Sequence, residues 1–110
     1  MKNINLLDCT LRDGGYYNNW NFSIIDANKY LKQIYAAKIN TVEIGFKFLK
    51  KNNNYGYFAY INKNILRKII KSRNTNLAVM INADDFISKK VNKIFNKKFR
   101  QDLSNISIIR

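Results

Sequence analysis

Short apolar runs alternate with amphipathic helical stretches along this chain, and that alternation constrains its fold more than any other feature. Runs typical of buried strands begin near Ile4, Thr41, Leu77 and Ile106, at separations of 37, 36 and 29 residues. A segment with helical apolar spacing follows each of the first three runs. Strands that alternate with helices predict an α/β fold with a parallel sheet. The spacing alone is compatible with a (β/α)₈ barrel or with an open doubly wound sheet.

The local patterns predict bounds for these elements. Four strands are predicted at residues 4–9, 41–44, 77–81 and 106–109, with a glycine loop at Gly14 and Gly15 and a polar, aromatic loop over residues 46–60. A first helix begins at Ser23, with Asp26 three residues later as in a capping box. The predicted apolar faces are Ala27, Leu31, Ile34 and Tyr35 in the first helix, Ile65, Leu66, Ile69 and Ile70 in a second helix over residues 62–72, and Ile87, Val91, Ile94 and Phe95 in a third helix capped by Asp84 or Asp85.

Length and composition exclude several classes of protein. A chain of 110 residues forms at most one domain, and 46% hydrophobic residues supply enough material for a core. Cys9 is the single cysteine and there is no histidine, so an internal disulfide and a Cys/His zinc site are both excluded. No apolar run is long enough for a signal peptide or a membrane span. A cytoplasmic protein without a membrane partner is therefore expected.

The strong positive charge says little about partners. Twenty Lys and Arg against seven Asp and Glu give 20 − 7 = +13, which favours binding to nucleic acids in general. The positive residues are spread along the chain, however, and Lys, Asn and Ile, which share A/T-rich codons, are abundant together. The aromatic and basic stretch around residues 55–60 also fails the pattern of an RNA-binding strand. Biased codon usage explains the charge better than a nucleic-acid partner does.

The segment from Asp8 to Gly15 carries the chemistry of the sequence. It lies where the first predicted strand ends, and the carboxyl ends of parallel strands are where α/β folds build their sites. Asp13 is a hard oxygen ligand suited to Mg²⁺ or Mn²⁺. Arg12 offers a fixed fork of donors for a carboxylate or an enolate oxygen. An Arg-Asp-Gly-Gly tetrapeptide alone is more often a surface ion pair beside a turn, so the longer string decides the interpretation.

The string Asp-x-Thr-Leu-Arg-Asp-Gly over residues 8–14 resembles the opening signature of the metal-dependent pyruvate aldolase and HMG-CoA lyase-like superfamily, which includes pyruvate carboxyltransferase-like domains. The run over residues 15–22 resembles a subgroup, the aldolase-catalytic-domain proteins related to 4-hydroxy-2-oxovalerate aldolase. The stretches over residues 42–46 and 55–60 resemble the same subgroup. The resemblance implies a (β/α)₈ barrel, of which residues 1–110 are the N-terminal portion, about three and a half βα units with parallel strands.

The resemblance also implies roles for individual residues. Asp13 would be a ligand of a divalent metal, Mn²⁺ or Mg²⁺, and Arg12 would stabilise the oxygen of an enolate. Glu43, on the second strand, would orient Arg12 or a metal-bound water, with a structural ion pair as the alternative. The implied substrate is a small 2-oxo acid, whose carbon–carbon bond is cleaved or formed through that enolate. Asp8 is expected to have a structural, hydrogen-bonding role.

Two departures from the family pattern qualify these roles. The histidine that follows the aspartate by three positions in 4-hydroxy-2-oxovalerate aldolases is Tyr16 here, which makes Tyr16 the candidate for proton transfer, with Tyr17 as the alternative. The family's His-x-His metal ligands have no counterpart in a chain without histidine. The chain alone is therefore expected to be inactive, with an incomplete metal site, and to require the missing barrel half or a homo-oligomer as partner. A non-catalytic remnant or a basic binding module is the alternative.

Overall fold

A computed structural model of the chain contains one four-stranded parallel sheet with the strands in chain order, β1-β2-β3-β4. The structure describes residues 3–87 and 96–110. The strands are Leu7–Asp8 (β1), Thr41–Phe46 (β2), Asn76–Met80 (β3) and Ile108–Ile109 (β4), the helices are Thr10–Asn18 (α1), Ile24–Ala36 (α2), Lys63–Lys68 (α3) and Lys97–Asp102 (α4), and short 3₁₀ helices lie at Tyr57–Ala59 and Ala83–Phe86. The predicted α/β class and parallel pairing are confirmed, and the strands neighbour each other in chain order, as is expected in the barrel that the family resemblance implies.

Strand β2 forms the centre of the sheet. All six of its residues are buried, as expected for a parallel strand that is covered on both faces. Thr41 pairs with Leu7 on β1, and Val42 pairs with Leu77 on β3. The largest fully buried side chains around it are Phe58, Leu31, Ile44, Ile61, Leu66, Glu43, Val42 and Val79. Glu43 is the one charged residue in that set, so the residues that compensate its charge matter most for the fold around β2.

Strands β1 and β4 are shorter than predicted. Of the predicted first strand, only Leu7–Asp8 is extended, although the Leu6 carbonyl still accepts a hydrogen bond from the Thr41 amide at 3.1 Å. Ile4 is 78% exposed and Leu6 is 53% exposed, because β1 pairs with β2 on one side only. The predicted fourth strand is likewise reduced to Ile108–Ile109. The strands of the described part are therefore longest where a neighbour lies on both sides.

The predicted glycine loop at Gly14 and Gly15 is wrong, because residues 10–18 form helix α1. The N-cap is Cys9, and just before it the Asp8 carboxylate accepts hydrogen bonds from the Thr10 amide at 3.1 Å and the Thr10 hydroxyl at 3.0 Å. The chain turns after the helix instead, where Asn19 and Trp20 have φ values of 57° and 55°. No glycine in this chain has a positive φ, so backbone freedom does not explain Gly14 and Gly15.

Gly15 is needed for close packing instead. The left-handed turn at Asn19 and Trp20 folds the chain back, and the Trp20 amide donates to the Gly15 carbonyl at 3.0 Å. The indole of Trp20 then lies directly against the Gly15 α-carbon, where a Cβ atom would overlap its ring. Trp20 is only 2% exposed. The absence of a side chain at Gly15 therefore makes room for the indole that closes this part of the core.

Helix α2 matches its prediction closely. The Ser23 hydroxyl accepts a hydrogen bond from the Asp26 amide at 3.0 Å, which confirms the predicted start. Of the predicted apolar face, Ala27, Leu31 and Ile34 are buried. The predicted fourth member, Tyr35, packs partly buried against the core.

Helix α3 ends four residues earlier than predicted, and the reason lies in α2. Asn62 caps its start, with its side chain accepting from the amides of residues 64 and 65. At the other end, Asn28 donates to the Lys68 carbonyl at 3.1 Å and accepts from the Ile70 amide at 2.8 Å, and Tyr35 donates to the Ile70 carbonyl at 2.6 Å. These α2 side chains hold the backbone in an extended path, so Ile70, predicted to be buried, is 39% exposed.

The start of the third predicted helix is a 3₁₀ turn with a different cap. Asn82, not Asp84 or Asp85, accepts the capping hydrogen bond, from the Asp84 amide at 3.3 Å. Ile87 is 77% exposed, and the other predicted apolar positions of this helix, residues 91, 94 and 95, lie outside the described residues. Within the described ranges, no helix has the length and apolar character needed to cross a membrane.

The packing of Trp20 on Gly15 predicts opposite effects for the two neighbouring glycines. Gly15→Ala should destabilise the protein by about 1–3 kcal/mol, because the new methyl group must displace the indole. Gly14→Ala is the matched control, since its Cβ would meet only Phe22 at 4.0 Å, and it should stabilise α1 by up to about 1 kcal/mol. Urea unfolding of both variants measures the difference. Equal effects of the two substitutions would contradict the packing argument.

Candidate functional site

The structure brings Arg12 and Glu43 together as a short, shielded ion pair. Arg12 lies in the first turn of α1, directly after β1, and Glu43 lies in β2. Arg12 Nε donates to Glu43 Oε1 at 2.6 Å, with the Arg12 side chain 15% exposed and Glu43 fully buried. A buried carboxylate needs both charge compensation and hydrogen bonds. Arg12 supplies both to one of the two carboxylate oxygens.

A second guanidinium binds the other oxygen of Glu43. Arg110, which follows β4, donates from Nη1 to Glu43 Oε2 at 3.1 Å. Its backbone continues the sheet, since the Arg110 amide donates to the Val79 carbonyl at 3.0 Å. Each oxygen of the Glu43 carboxylate therefore has its own arginine. Arg110 was not among the predicted site residues, because nothing in the local pattern distinguishes it from the other basic residues.

The surroundings of Arg12 keep its guanidinium charged. Burial lowers the pKa of Arg12, but the hydrogen bond and the negative charge of Glu43 outweigh burial and raise the pKa above its ordinary value. Cys9 and Asp13 raise it further. A permanently charged, partly shielded donor at the end of a strand can stabilise negative charge that develops on a ligand oxygen.

Asp13 lies beside Arg12 but faces solvent. Arg12 Nη1 approaches Asp13 Oδ1 at 3.3 Å, and the Asp13 side chain is 66% exposed. The three residues Arg12, Asp13 and Glu43, predicted to lie together, do lie together, with Arg12 in the middle. Of the two carboxylates in this set, Asp13 is open to a ligand from solution and Glu43 is buried.

The aromatic side chain of Trp20 holds Arg12 in place from the other side. Its indole N–H donates to the Arg12 carbonyl at 2.8 Å. Edge-to-face contacts join its ring to Tyr16 at 4.8 Å, Phe46 at 5.3 Å and Tyr55 at 5.1 Å between centroids. No role was predicted for Trp20, although a lone tryptophan after a glycine pair could have indicated one. The aromatic cluster ties α1, β2 and the loop after β2 into one wall.

Tyr16, the candidate for proton transfer, lies at the rim of that wall. It is 60% exposed, and its ring packs against Trp20 and, at 6.1 Å, against Phe46. Its position on α1 is four residues after Arg12, so both side chains belong to the same end of the sheet. The described contacts of Tyr16 are aromatic, and its role in proton transfer stays a prediction.

Asp8 has a structural role of the kind that was expected for it. Its Oδ2 accepts from the Thr10 hydroxyl at 3.0 Å and from the Tyr30 hydroxyl at 2.7 Å, and its Oδ1 accepts from the Thr10 amide. Burial raises the pKa of Tyr30 to about 12. The Thr10 hydroxyl lowers that pKa, and the hydrogen bond and charge of Asp8 raise it. Asp8 thus joins β1, α1 and α2.

The described residues do not by themselves form a metal site. Both oxygens of Glu43 are taken by arginines and both oxygens of Asp8 by Thr10 and Tyr30, which leaves Asp13 as one carboxylate ligand. Among residues 3–87 and 96–110, no group of three or more His, Cys, Asp or Glu is placed to hold a metal ion. Mg²⁺ and Mn²⁺ require more oxygen or nitrogen ligands than one aspartate.

A cavity of about 560 Å³ lies away from these charged residues. It is lined by residues of the segment after β2, among them Lys51, Tyr55, Tyr57 and Tyr60. Arg12, Asp13 and Glu43 do not line it. The buried ion pair is a better indicator of chemistry than this open polar groove, because it concentrates fixed charge at the end of the sheet.

Comparison with known proteins finds a similarity of fold to a solved structure. No protein-family profile matches the chain, and no curated protein matches it. Among solved structures, the N-terminal domain of a "putative aldolase" from Bacteroides vulgatus is similar, with a TM-score of 0.71 and 28% sequence identity. The similarity covers 97% of this chain and 34% of that chain, so this chain spans about a third of its length. The chain therefore has an α/β fold like that of the N-terminal domain of an aldolase-type protein.

The raised pKa of Tyr30, caused first by burial and further by its hydrogen bond to Asp8 and the charge of Asp8, predicts a loss of stability at high pH. Because the folded-state pKa of Tyr30 is about 12 and the ordinary value is 10.0, neutral Tyr30 favours folding fully below pH 10. That contribution should disappear as the pH rises through 12. The free energies of unfolding of the unchanged protein and of Tyr30→Phe, measured at several pH values, should therefore approach each other over this range. Tyr17→Phe, at a ring that is 95% exposed, is the control and should leave the pH dependence unchanged.

Proposed function

We propose that this chain contributes the enolate-stabilising part of a carbon–carbon lyase of the aldolase type that acts on a 2-oxo acid. The single observation that carries the proposal is the buried Arg12–Glu43 ion pair at the end of the sheet. The similarity to an aldolase N-terminal domain and the signature at residues 8–14 support it. In the proposed enzyme the four parallel strands are the first strands of a (β/α)₈ barrel, and residues 1–110 are its N-terminal portion.

In this proposal Arg12 stabilises the oxygen that becomes negative when the carbon–carbon bond breaks. In a 4-hydroxy-2-oxo acid, a base takes the proton of the 4-hydroxyl, the bond between carbons 3 and 4 breaks and an aldehyde leaves. The electron pair that remains on carbon 3 delocalises onto the 2-oxo oxygen as an enolate, which is then protonated on carbon 3. Glu43 holds Arg12 Nε and Asp13 approaches Nη1, and the remaining N–H groups of the guanidinium are proposed to donate to that oxygen. Because Glu43 and Trp20 fix the side chain and the backbone of Arg12, little reorganisation is needed as charge develops.

The other proposed roles are assigned to Tyr16 and Asp13. Tyr16 is the candidate donor or acceptor of the proton, and its exposed position at the rim allows contact with a ligand. Asp13 would provide one ligand to a divalent metal, Mn²⁺ or Mg²⁺, whose positive charge would further stabilise the enolate. That site requires ligands beyond the described residues, either from the missing barrel half or from a second copy of the chain.

Selective binding of an enolate mimic tests the proposed role of Arg12. Oxalate is planar and carries two negative charges, as the enolate of pyruvate does, so the chain should bind oxalate roughly 10-fold or more tightly than pyruvate. Arg12→Met should weaken oxalate binding roughly 10- to 100-fold, because charged hydrogen bonds are lost. Ligand-observed NMR titrations with the 110-residue chain measure both affinities.

Arg73→Met is the matched control for that titration. Arg73 is exposed and also carries one positive charge, so its removal reports only the general attraction of a chain with net charge +13. The control variant should retain the preference for oxalate. Equal losses in Arg12→Met and Arg73→Met would indicate non-specific anion binding by a basic module and would overturn the proposal.

The isolated chain should bind 2-oxo acids without cleaving them. With Mn²⁺ and a panel of 4-hydroxy-2-oxo acids, we expect no release of pyruvate above the rate without protein, because Asp13 alone cannot hold the metal against water. A lactate dehydrogenase assay measures the released pyruvate. Metal-dependent release by the 110-residue chain would show that its own residues complete the site.

A further inference from the structure

Arg110 occupies a position equivalent to that of Arg12 on the opposite side of Glu43. Arg12 binds Oε1 at 2.6 Å and Arg110 binds Oε2 at 3.1 Å, so one buried carboxylate holds two guanidinium groups next to each other. They come from distant parts of the chain, the start of α1 and the end of β4. This convergence depends on the parallel strand order, which brings both segments to the same end of the sheet.

The three side chains leave positive charge available for a ligand. Two arginines and one glutamate sum to a charge of +1, and each oxygen of Glu43 already accepts a hydrogen bond from one arginine. Arg110 is 43% exposed in its side chain, whereas Arg12 is 15% exposed. A guanidinium has several N–H donors, and the bond to Glu43 uses only one nitrogen of Arg110. Arg110 is therefore the more open of the two groups.

We propose that Arg110 is a specificity-determining residue that binds the carboxylate of the 2-oxo acid while Arg12 binds its 2-oxo oxygen. This inference rests on the proposed function of Arg12 and adds a carboxylate site to it. The carboxylate and the 2-oxo oxygen of such a ligand lie on adjacent carbons, which suits two guanidinium groups held by the two oxygens of a single carboxylate. The planar fork of Arg110 matches a carboxylate better than a point charge does.

The competing explanation is that Arg110 only neutralises Glu43. In that case its removal would disturb Arg12 indirectly and would affect every ligand of Arg12 to the same extent. A carboxylate-binding role instead requires a selective loss for ligands that carry the carboxylate. Pyruvate and pyruvamide differ in that one group, and both keep the 2-oxo oxygen. Their ratio of affinities therefore separates the two explanations.

The experiment compares pyruvate and pyruvamide by NMR titration of the 110-residue chain and its variants. The unchanged chain should prefer pyruvate, and Arg110→Met should remove that preference by weakening pyruvate binding roughly 10- to 100-fold with little effect on pyruvamide. Arg110→Lys keeps a positive charge for Glu43 and provides a second variant if the methionine variant unfolds. It should keep part of the preference, because the charge is retained and the fork is lost. Arg73→Met should behave as the unchanged chain does.

The outcomes distinguish this inference from the proposed function. Equal weakening of pyruvate and pyruvamide by Arg110→Met or Arg110→Lys, with Arg12→Met still weakening oxalate binding as expected, would overturn the role of Arg110 alone. Failure of the unchanged chain to bind pyruvate and oxalate would overturn both proposals. Loss of the preference for pyruvate in either Arg110 variant, with pyruvamide binding retained, would support the carboxylate site.

Discussion

The buried carboxylate of Glu43 is the constraint on which the arrangement of this protein's charged groups depends. A carboxylate at full burial in the central strand would oppose folding strongly unless each oxygen were bound by a charged donor. Arg12 and Arg110 meet that need from opposite sides. The start of α1 and the end of β4 are thereby held against β2. The same requirement that stabilises the fold places two guanidinium groups where α/β proteins build their sites.

The aromatic packing around Trp20 complements this electrostatic constraint. The indole N–H holds the Arg12 carbonyl, and its ring lies in the space that Gly15 leaves open. A left-handed turn at Asn19 and Trp20 makes that approach possible. Conformational entropy that Arg12 would otherwise retain is therefore lost during folding and not on binding a ligand. Such preorganisation is what a site for developing negative charge requires.

Much of the fold follows from local patterns, but the site depends partly on contacts that no local pattern reveals. Apolar runs and helical periodicity predicted the parallel sheet, and Ser23 predicted the start of α2. The loop prediction at residues 14–15 failed because glycine also serves close packing, which requires knowledge of Trp20. Likewise, α3 ends early because Asn28 contacts it from another helix. Arg110 lies 67 positions from Glu43, and only the sheet brings them together.

The charges around Glu43 are a better indicator of function than the net charge of +13 is. Most lysines lie on the surface, where solvent screens them, whereas the charges around Glu43 are shielded and fixed in direction. Arg12, Arg110 and Glu43 together carry +1, and Asp13 at the rim makes the full set neutral. Because the two arginines and the two acidic residues balance in charge, this site selects an anion by geometry more than by total charge. The anion must reach N–H donors that Glu43 and Asp13 do not occupy. A small planar anion with two adjacent oxygen groups satisfies that condition better than a flexible polyanion does.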